Sequence, residues 1–454
     1  MAEQLLYRHG ARKAVSYYAG RAAVMDGWTN SHLDDALEVL IDYRGKSPPK
    51  SVEGIPVISA KVVKDGHILH PIEQTISPDY YSVWMTRGLP KIGDVVMTTE
   101  GPMGEVAQID VSTVKYALGQ RVVCMRGRRG VLDNNFLKFL LLSPAQQAIL
   151  HSFSTGTTVA GISQKSLRSI PVVLPPYREQ VAIGRLLGAL DDKIELNRQM
   201  NETLEAMARA IFRDWFVDFG PTCAKMAGRP PYLAPDIWSL FPSRLDAEGR
   251  PEGWRSGKLG DVAEQVGRTV HPETLDPHTP YIGLEHMPRR SIALSDWDGA
   301  GKVTSGKLAF QKGDFLFGKL RPYFHKVGAA PLDGICSTDI IVLNARERCA
   351  ASFVLACISQ DEFVAFTDRT SDGTKMPRTS WTRMEKYGVC LPGQAAFEAF
   401  DAIANPMFSR IVFNIHESRT LATTRDLLLP KLMSGEVRVN DNYAAVEHQL
   451  AEAS

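Results

Sequence analysis

The chain has 454 residues, 44% of them hydrophobic and 23% charged, with a formal net charge of +1. This fits a soluble protein of about two to four domains; it lacks the overall basic bias of a lone nucleic-acid-binding domain, and no apolar run approaches the ~18 residues of a membrane span. The six cysteines (Cys124, Cys223, Cys336, Cys349, Cys357, Cys390) are scattered without a CxxC pair, so neither a zinc site nor a disulfide framework is signalled, and a reducing cytoplasm is the expected setting.

Residues 1–26 carry Arg8, Arg12, Lys13 and Arg21 against Glu3 and Asp26. They read as an N-terminal extension with little order, Met25 being a plausible true start. A basic arm or targeting peptide is the other reading, although no long apolar core marks a secretory signal. Residues 27–175 form the first globular domain. Segments 55–60, 94–98 and 121–125 are short, rich in β-branched residues and bounded by Gly, Pro or Asp, which predicts strands. Residues 135–153 predict one helix.

A long helix is expected over 176–219, after Pro175-Pro176. From Ile183, spacings of four and three residues pick out Leu187, Leu190, Ile194, Asn197, Asn201, Leu204, Ala208, Ile211 and Trp215. That is the 3.5-residue seam of a coiled coil, broken only by two asparagines. The helix would be roughly 60 Å long, which suits a spacer better than the core helix of an all-α domain. Residues 220–253 hold Pro221, Pro230, Pro231, Pro235, Pro242 and Pro251. They predict an extended connector with little structure of its own.

The second globular domain, 254–392, repeats the first. Trp28 and Leu33-Asp34 return at Trp254 and Leu259-Gly260-Asp261; Gly93-Asp94 returns at Gly313-Asp314; Ser154-Thr-Gly156-Thr157 returns at Ser371-Asp-Gly373-Thr374; Leu174-Pro175 returns at Leu391-Pro392. Segments 314–317 and 339–343 predict strands, and 352–367 one helix. From Gly156 onward the displacement stays at 217 residues, and it carries the seam into a second long helix, 393–436. Its rungs are Phe400, Ala404, Met407, Ile411, Asn414, Ser418, Leu421, Arg425, Leu428 and Leu432. Both seams are polar at the fifth and sixth rungs. Pro406 should kink or restart the second helix, and Ala396-Phe397 stands where the first copy has Glu179-Gln180. Residues 437–454 are a tail.

The expected fold is α+β: two mixed α/β domains joined by two long antiparallel helices, an internal repeat about a pseudo-two-fold axis. With that axis at the middle rungs, Asn197 faces Ser418 and Asn201 faces Asn414. These four polar groups are expected to fix the register of the helix pair.

Catalytic motifs are few. Residues 313–320 approach a phosphate-binding loop, but Leu320 lacks the hydroxyl required for magnesium, so a Gly-Asp turn opening a strand is the better reading. Leu174-Pro-Pro-Tyr177 is near a motif of amino-methyltransferases, yet Leu174 cannot bind the amine. No histidine pair has metal spacing with a carboxylate, and no nucleophile constellation stands out. The chain is expected to catalyse nothing alone and to hold neither metal nor cofactor.

The loops carry more promise. In the second copy, Lys319, Arg321, Tyr323, His325, Lys375 and Arg378 mix donors with aromatics; in the first, Thr98, Thr99, Glu100, Gln164 and Lys165 occupy matching stretches. Such side chains can hydrogen-bond base edges and phosphates. Like frames with unlike tips predict two readers with different targets.

Five motifs are similar to one family: LPPYREQ at 174–180, AIFRDWFVDF at 210–219, PEGW at 251–254, KMPR at 375–378 and RDLLLPKLMSGE at 425–436. The chain from Trp28 to Val439 resembles the specificity subunit of type I restriction–modification enzymes. The resemblance implies two target-recognition domains reading double-stranded DNA, the helices setting the gap between half-sites. It implies assembly with two methyltransferase subunits, which use S-adenosylmethionine, and with restriction/translocase subunits, which use ATP and Mg. The alternatives are a scaffold with two non-DNA binding modules on a coiled-coil strut and an autonomous DNA-modifying enzyme.

Overall fold

The computed structural model describes residues 27–43, 47–156 and 159–439. The proposed extension at 1–26 and the tail beyond 439 lie outside them. The chain folds as two compact units. Unit 1 runs to Asp192 and resumes at Ala422; unit 2 is Lys193–Leu421.

The same frame appears in each. Unit 1 has an antiparallel four-stranded sheet in the order Leu37–Asp42, Val122–Gly127, Val95–Thr98, Val106–Gln108. Unit 2 has Ala263–Gln265, Ile340–Ala345, Phe315–Gly318 and Val327–Ala329 in the same order. Each unit also holds one parallel pair: Ile55–Ile58 with Ala117–Leu118, and Pro280–Ile282 with Gly334–Cys336. The Gly-Asp turn before the central strand is built alike in both. Asp94 Oδ2 accepts from the Lys91 amide and Asp314 Oδ2 from the Gln311 amide, each at 2.7 Å. Gly93 and Gly313 supply the positive φ that the turn requires. The near-match to a phosphate loop at 313–320 is therefore a turn and a buried strand.

The two long helices are Tyr177–Phe216 and Gln394–Met433, 40 residues each. All twenty seam rungs are buried or half-buried. In unit 1, Ile183 and Leu187 pack with Leu429, Leu432 and Met433. In unit 2, Phe212, Trp215 and Phe216 pack with Phe397, Phe400 and Ala404. The segments run antiparallel in both, since rising numbers on the first helix meet falling numbers on the second.

Three expectations fail here. Pro406 does not interrupt the second long helix. It is exposed, so only its own missing N–H is lost, while Phe400, Ala404 and Ile411 hold the helix in the core on either side. The single helices expected at 135–153 and 352–367 are bent pairs, Asn134–Leu142 with Pro144–Ser152 and Ala351–Ile358 with Asp361–Arg369. Ser143 ends one helix and caps the next, whose first residue is Pro144; the second pair turns by 70°. The connector is not extended throughout. It forms helices Gly220–Met226 and Pro235–Ser239, each with Pro in its first turn. Phe241 anchors it against Trp215 and Trp254, with ring centroids 5.1 and 5.9 Å away.

Candidate nucleic-acid interface

The loops singled out from sequence are joined in space within each unit, by matching backbone contacts. In unit 1 the Ile162 amide donates to the Thr99 carbonyl (3.0 Å), Thr155 and Gly161 exchange hydrogen bonds, and Glu100 bridges Gly161. In unit 2 the Thr379 amide donates to the Lys319 carbonyl (3.0 Å), Asp372 and Arg378 exchange hydrogen bonds, and Leu320 bridges Arg378. A strand-end loop is thus stapled to the turn that follows the bent helix pair, twice. Gly156 and Gly373 take positive φ at equivalent points of that turn.

The side chains differ. In unit 1, Glu100 lies 3.7 Å from Arg121. Lys165 is exposed and Gln164 half-buried on a short helix capped by Ser163, whose Oγ accepts from the Ser166 amide (3.0 Å). In unit 2, Lys375 and Arg378 are exposed and Lys319 and Arg321 half-buried. Arg378 lies 3.4 Å from Asp339. The unit 2 loop pair is basic and aromatic; the unit 1 loop pair is nearly balanced.

Three candidates are misplaced as surface readers. Thr98 is buried; its hydroxyl donates to the Pro102 carbonyl and accepts from the Glu105 amide (2.9 Å), which closes the turn. Thr99 is also buried and serves through its backbone. His325 is buried with Nε2 donating to the Ser359 carbonyl (3.0 Å), and burial pushes its pKa down, favouring the neutral ring. These residues hold the loops rather than present them. Conversely, Arg289 reaches unit 2's loop from a remote segment, its guanidinium 4.1 Å from the centre of the Phe324 ring. Only the Arg289-Arg290 pair marks it in the sequence.

Asn197 Nδ2 donates to Ser418 Oγ (3.2 Å) and Glu417 Oε2 (2.7 Å), and Asn414 Nδ2 donates to Asn201 Oδ1 (2.9 Å). The polar rungs meet each other, in the middle of a seam whose other rungs are apolar except Arg425. The buried Oδ1 atoms of Asn197 and Asn414 have no hydrogen-bond partner among the described residues. The layer therefore costs stability.

Residues 25–206 match the model of the type I restriction modification DNA specificity domain. The chain is 25% identical over 373 residues to the specificity subunit of the type I restriction enzyme MjaIX of Methanocaldococcus jannaschii, covering 78% of this chain and 80% of that one. Residues 25–206 thus carry the signature of that specificity domain, and about three quarters of the chain is similar to type I specificity subunits. A second relative, the HindI specificity subunit of Haemophilus influenzae, is 23% identical over 404 residues, covering 76% and 87% of the two chains. The fold resembles the crystal structure of a type I S subunit from M. genitalium, with a TM-score of 0.51 at 14% identity over 89% of this chain and 96% of that one. The matched domain is by its description a DNA specificity domain, and both relatives are specificity subunits of restriction enzymes. Among the described residues no single helix is long and apolar enough to cross a membrane.

Proposed function

We propose that this chain is a type I specificity subunit, that each globular part reads one half of an asymmetric, bipartite DNA target, and that the two long helices set the gap between the halves. The observation that carries this reading is the duplicated staple. The same backbone frame presents Glu100, Gln164 and Lys165 in unit 1 and Lys319, Arg321, Tyr323, Lys375 and Arg378 in unit 2. A shared frame with unlike polar tips is what two readers of different sequences require. Asn197, Asn201, Asn414 and Ser418 fix the register of the helix pair, and with it the gap. Because DNA repeats about every 34 Å, a fixed gap also sets which face of the duplex each reader meets.

The partners in this reading are two methyltransferase subunits carrying S-adenosylmethionine, with restriction/translocase subunits supplying ATP- and Mg-dependent steps. A net charge of +1 favours phosphate contacts shared with those partners. The chain alone should bind DNA weakly, and the complex with the methyltransferase tightly, in a gel shift at moderate salt. Methylome sequencing of cells expressing the chain with its methyltransferase gives the motif. Exchanging residues 254–392 for those of a relative should alter one half of that motif only. A change in both halves, or in neither, would refute the two-reader reading.

A further inference from the structure

One turn occupies the same place in both units and is used in opposite ways. After the central strand, unit 1 has Gly101-Pro102-Met103-Gly104 and unit 2 has Arg321-Pro322-Tyr323-Phe324-His325. Each turn has a residue of left-handed φ before its proline and another at its end. Unit 1 meets both with glycine, at φ +79° for Gly101 and +91° for Gly104. Unit 2 places Arg321 (φ 51°) and His325 (φ 52°) there. The neighbouring Arg290 has φ 58°, and its amide donates to the His325 carbonyl (2.9 Å). Among the described residues only five non-glycine residues have positive φ, and three of them lie in this one cluster. Such strain persists where the surrounding structure enforces it, and it gathers at functional sites.

The side chains between the strained residues are also reversed. Met103 is folded inward at 6% exposure, whereas Tyr323 stands out at 50%. Its ring is backed by Phe324, with centroids 4.8 Å apart. Phe324 in turn has the Arg289 guanidinium over its face at 4.1 Å and that of Arg321 at 6.0 Å. His325 fixes the far end of the turn through Ser359. An aromatic ring projecting from a rigid turn, next to a second ring that carries two guanidinium groups, has the chemistry of a base-stacking contact with phosphate clamps nearby.

We propose that Tyr323 inserts against a base step in the half-site read by unit 2 and unstacks it, with Arg289 and Arg321 holding the flanking phosphates. At the matching turn of unit 1 Met103 is folded inward, so the deformation is confined to one half of the target. The inference rests on the two-reader function proposed above.

The test uses the chain assembled with its methyltransferase and duplexes of the mapped motif, with 2-aminopurine placed singly at each position of the second half-site. Binding should raise fluorescence at one step besides the methylated base, which a methyltransferase takes out of the stack on its own. Tyr323→Ala should abolish that rise and weaken binding about tenfold or more, leaving the signal of the methylated base intact. Tyr323→Phe should keep the rise. Circular dichroism and unchanged recognition of the first half-site establish that the variants are folded. Tight, specific binding by the wild-type complex with no such rise would overturn the wedge alone, as would Tyr323→Ala retaining both rise and affinity. Absence of specific duplex binding by the wild-type complex would sink the two-reader reading and the wedge together.

Discussion

The two units share a backbone plan but hold their helices by different chemistry. In unit 1 buried ion pairs stand beside the apolar contact. Asp191 is buried and bound by Lys138 Nζ and Arg425 Nη1, each at 2.7 Å, and Glu179 meets Arg438 at 2.7 Å. The buried Gln180 stitches the helix start to the Val131 and Pro175 carbonyls at 2.9 Å each. In unit 2 the contact is aromatic. Phe397 takes the place of Gln180 and packs on Phe353 (5.0 Å), while Phe400 meets Phe216 at 5.2 Å and Trp215 at 6.0 Å. The duplication preserves geometry and leaves chemistry free to diverge, even where the side chains only serve the fold.

The largest effects should come from these anchors. Asp191→Ala leaves two cations without their buried partner and should cost about 3–5 kcal/mol in chemical denaturation. Phe400→Ala should cost a comparable ~3–5 kcal/mol through the cavity it leaves. The two should separate with pH. Burial pushes the Asp191 carboxyl up, but Lys138 and Arg425 outweigh it and hold its pKa below the ordinary value. A depressed carboxylate stabilises the fold fully above its unfolded pKa of about 3.9 and loses that contribution as pH falls through the folded value. The penalty of Asp191→Ala should therefore shrink on acidification below about pH 4, while that of Phe400→Ala should not. Equal pH dependence of the two penalties would contradict the ionic–aromatic distinction.

A smaller effect should separate the turns. Arg321→Gly relieves a left-handed residue and should raise stability by about 1 kcal/mol, yet weaken DNA binding by the complex. Gly101→Ala introduces the same strain in unit 1, where no atom lies within 4 Å of the added methyl, and should cost about 1 kcal/mol. A thermal melt of each variant reads both signs. The smallest change concerns the seam. Replacing Asn201 and Asn414 together by Leu should raise the melting temperature slightly while relaxing register. A lowered melting temperature would show that the pair contributes stability and not only alignment.

Much of this was legible in the linear chain, for identifiable reasons. The seam follows from a period of 3.5 residues, and the repeat survives as fixed displacements of Gly156, Pro175 and the polar rungs. The bend at Ser143-Pro144 carried a capping signal, but the apolar pattern runs through it. The order of the connector depends on Phe241 finding Trp215 and Trp254, which no local pattern records. The loop pairs were visible; the depth of Thr98, Thr99 and His325 was not, because alternation near a strand end does not distinguish a turn's inside from its outside. Arg289 joins the unit 2 loop only through the folded sheet.

The ruler role of the helix pair is tested most directly by inserting one matched seven-residue unit between the two polar rungs of each long helix, then mapping methylation in cells that also express the methyltransferase. Seven helical residues add about 10 Å and keep the seam on one face. Both half-sites should be unchanged and the gap between them longer by about three base pairs. An unchanged gap, with the half-sites still read, would contradict it.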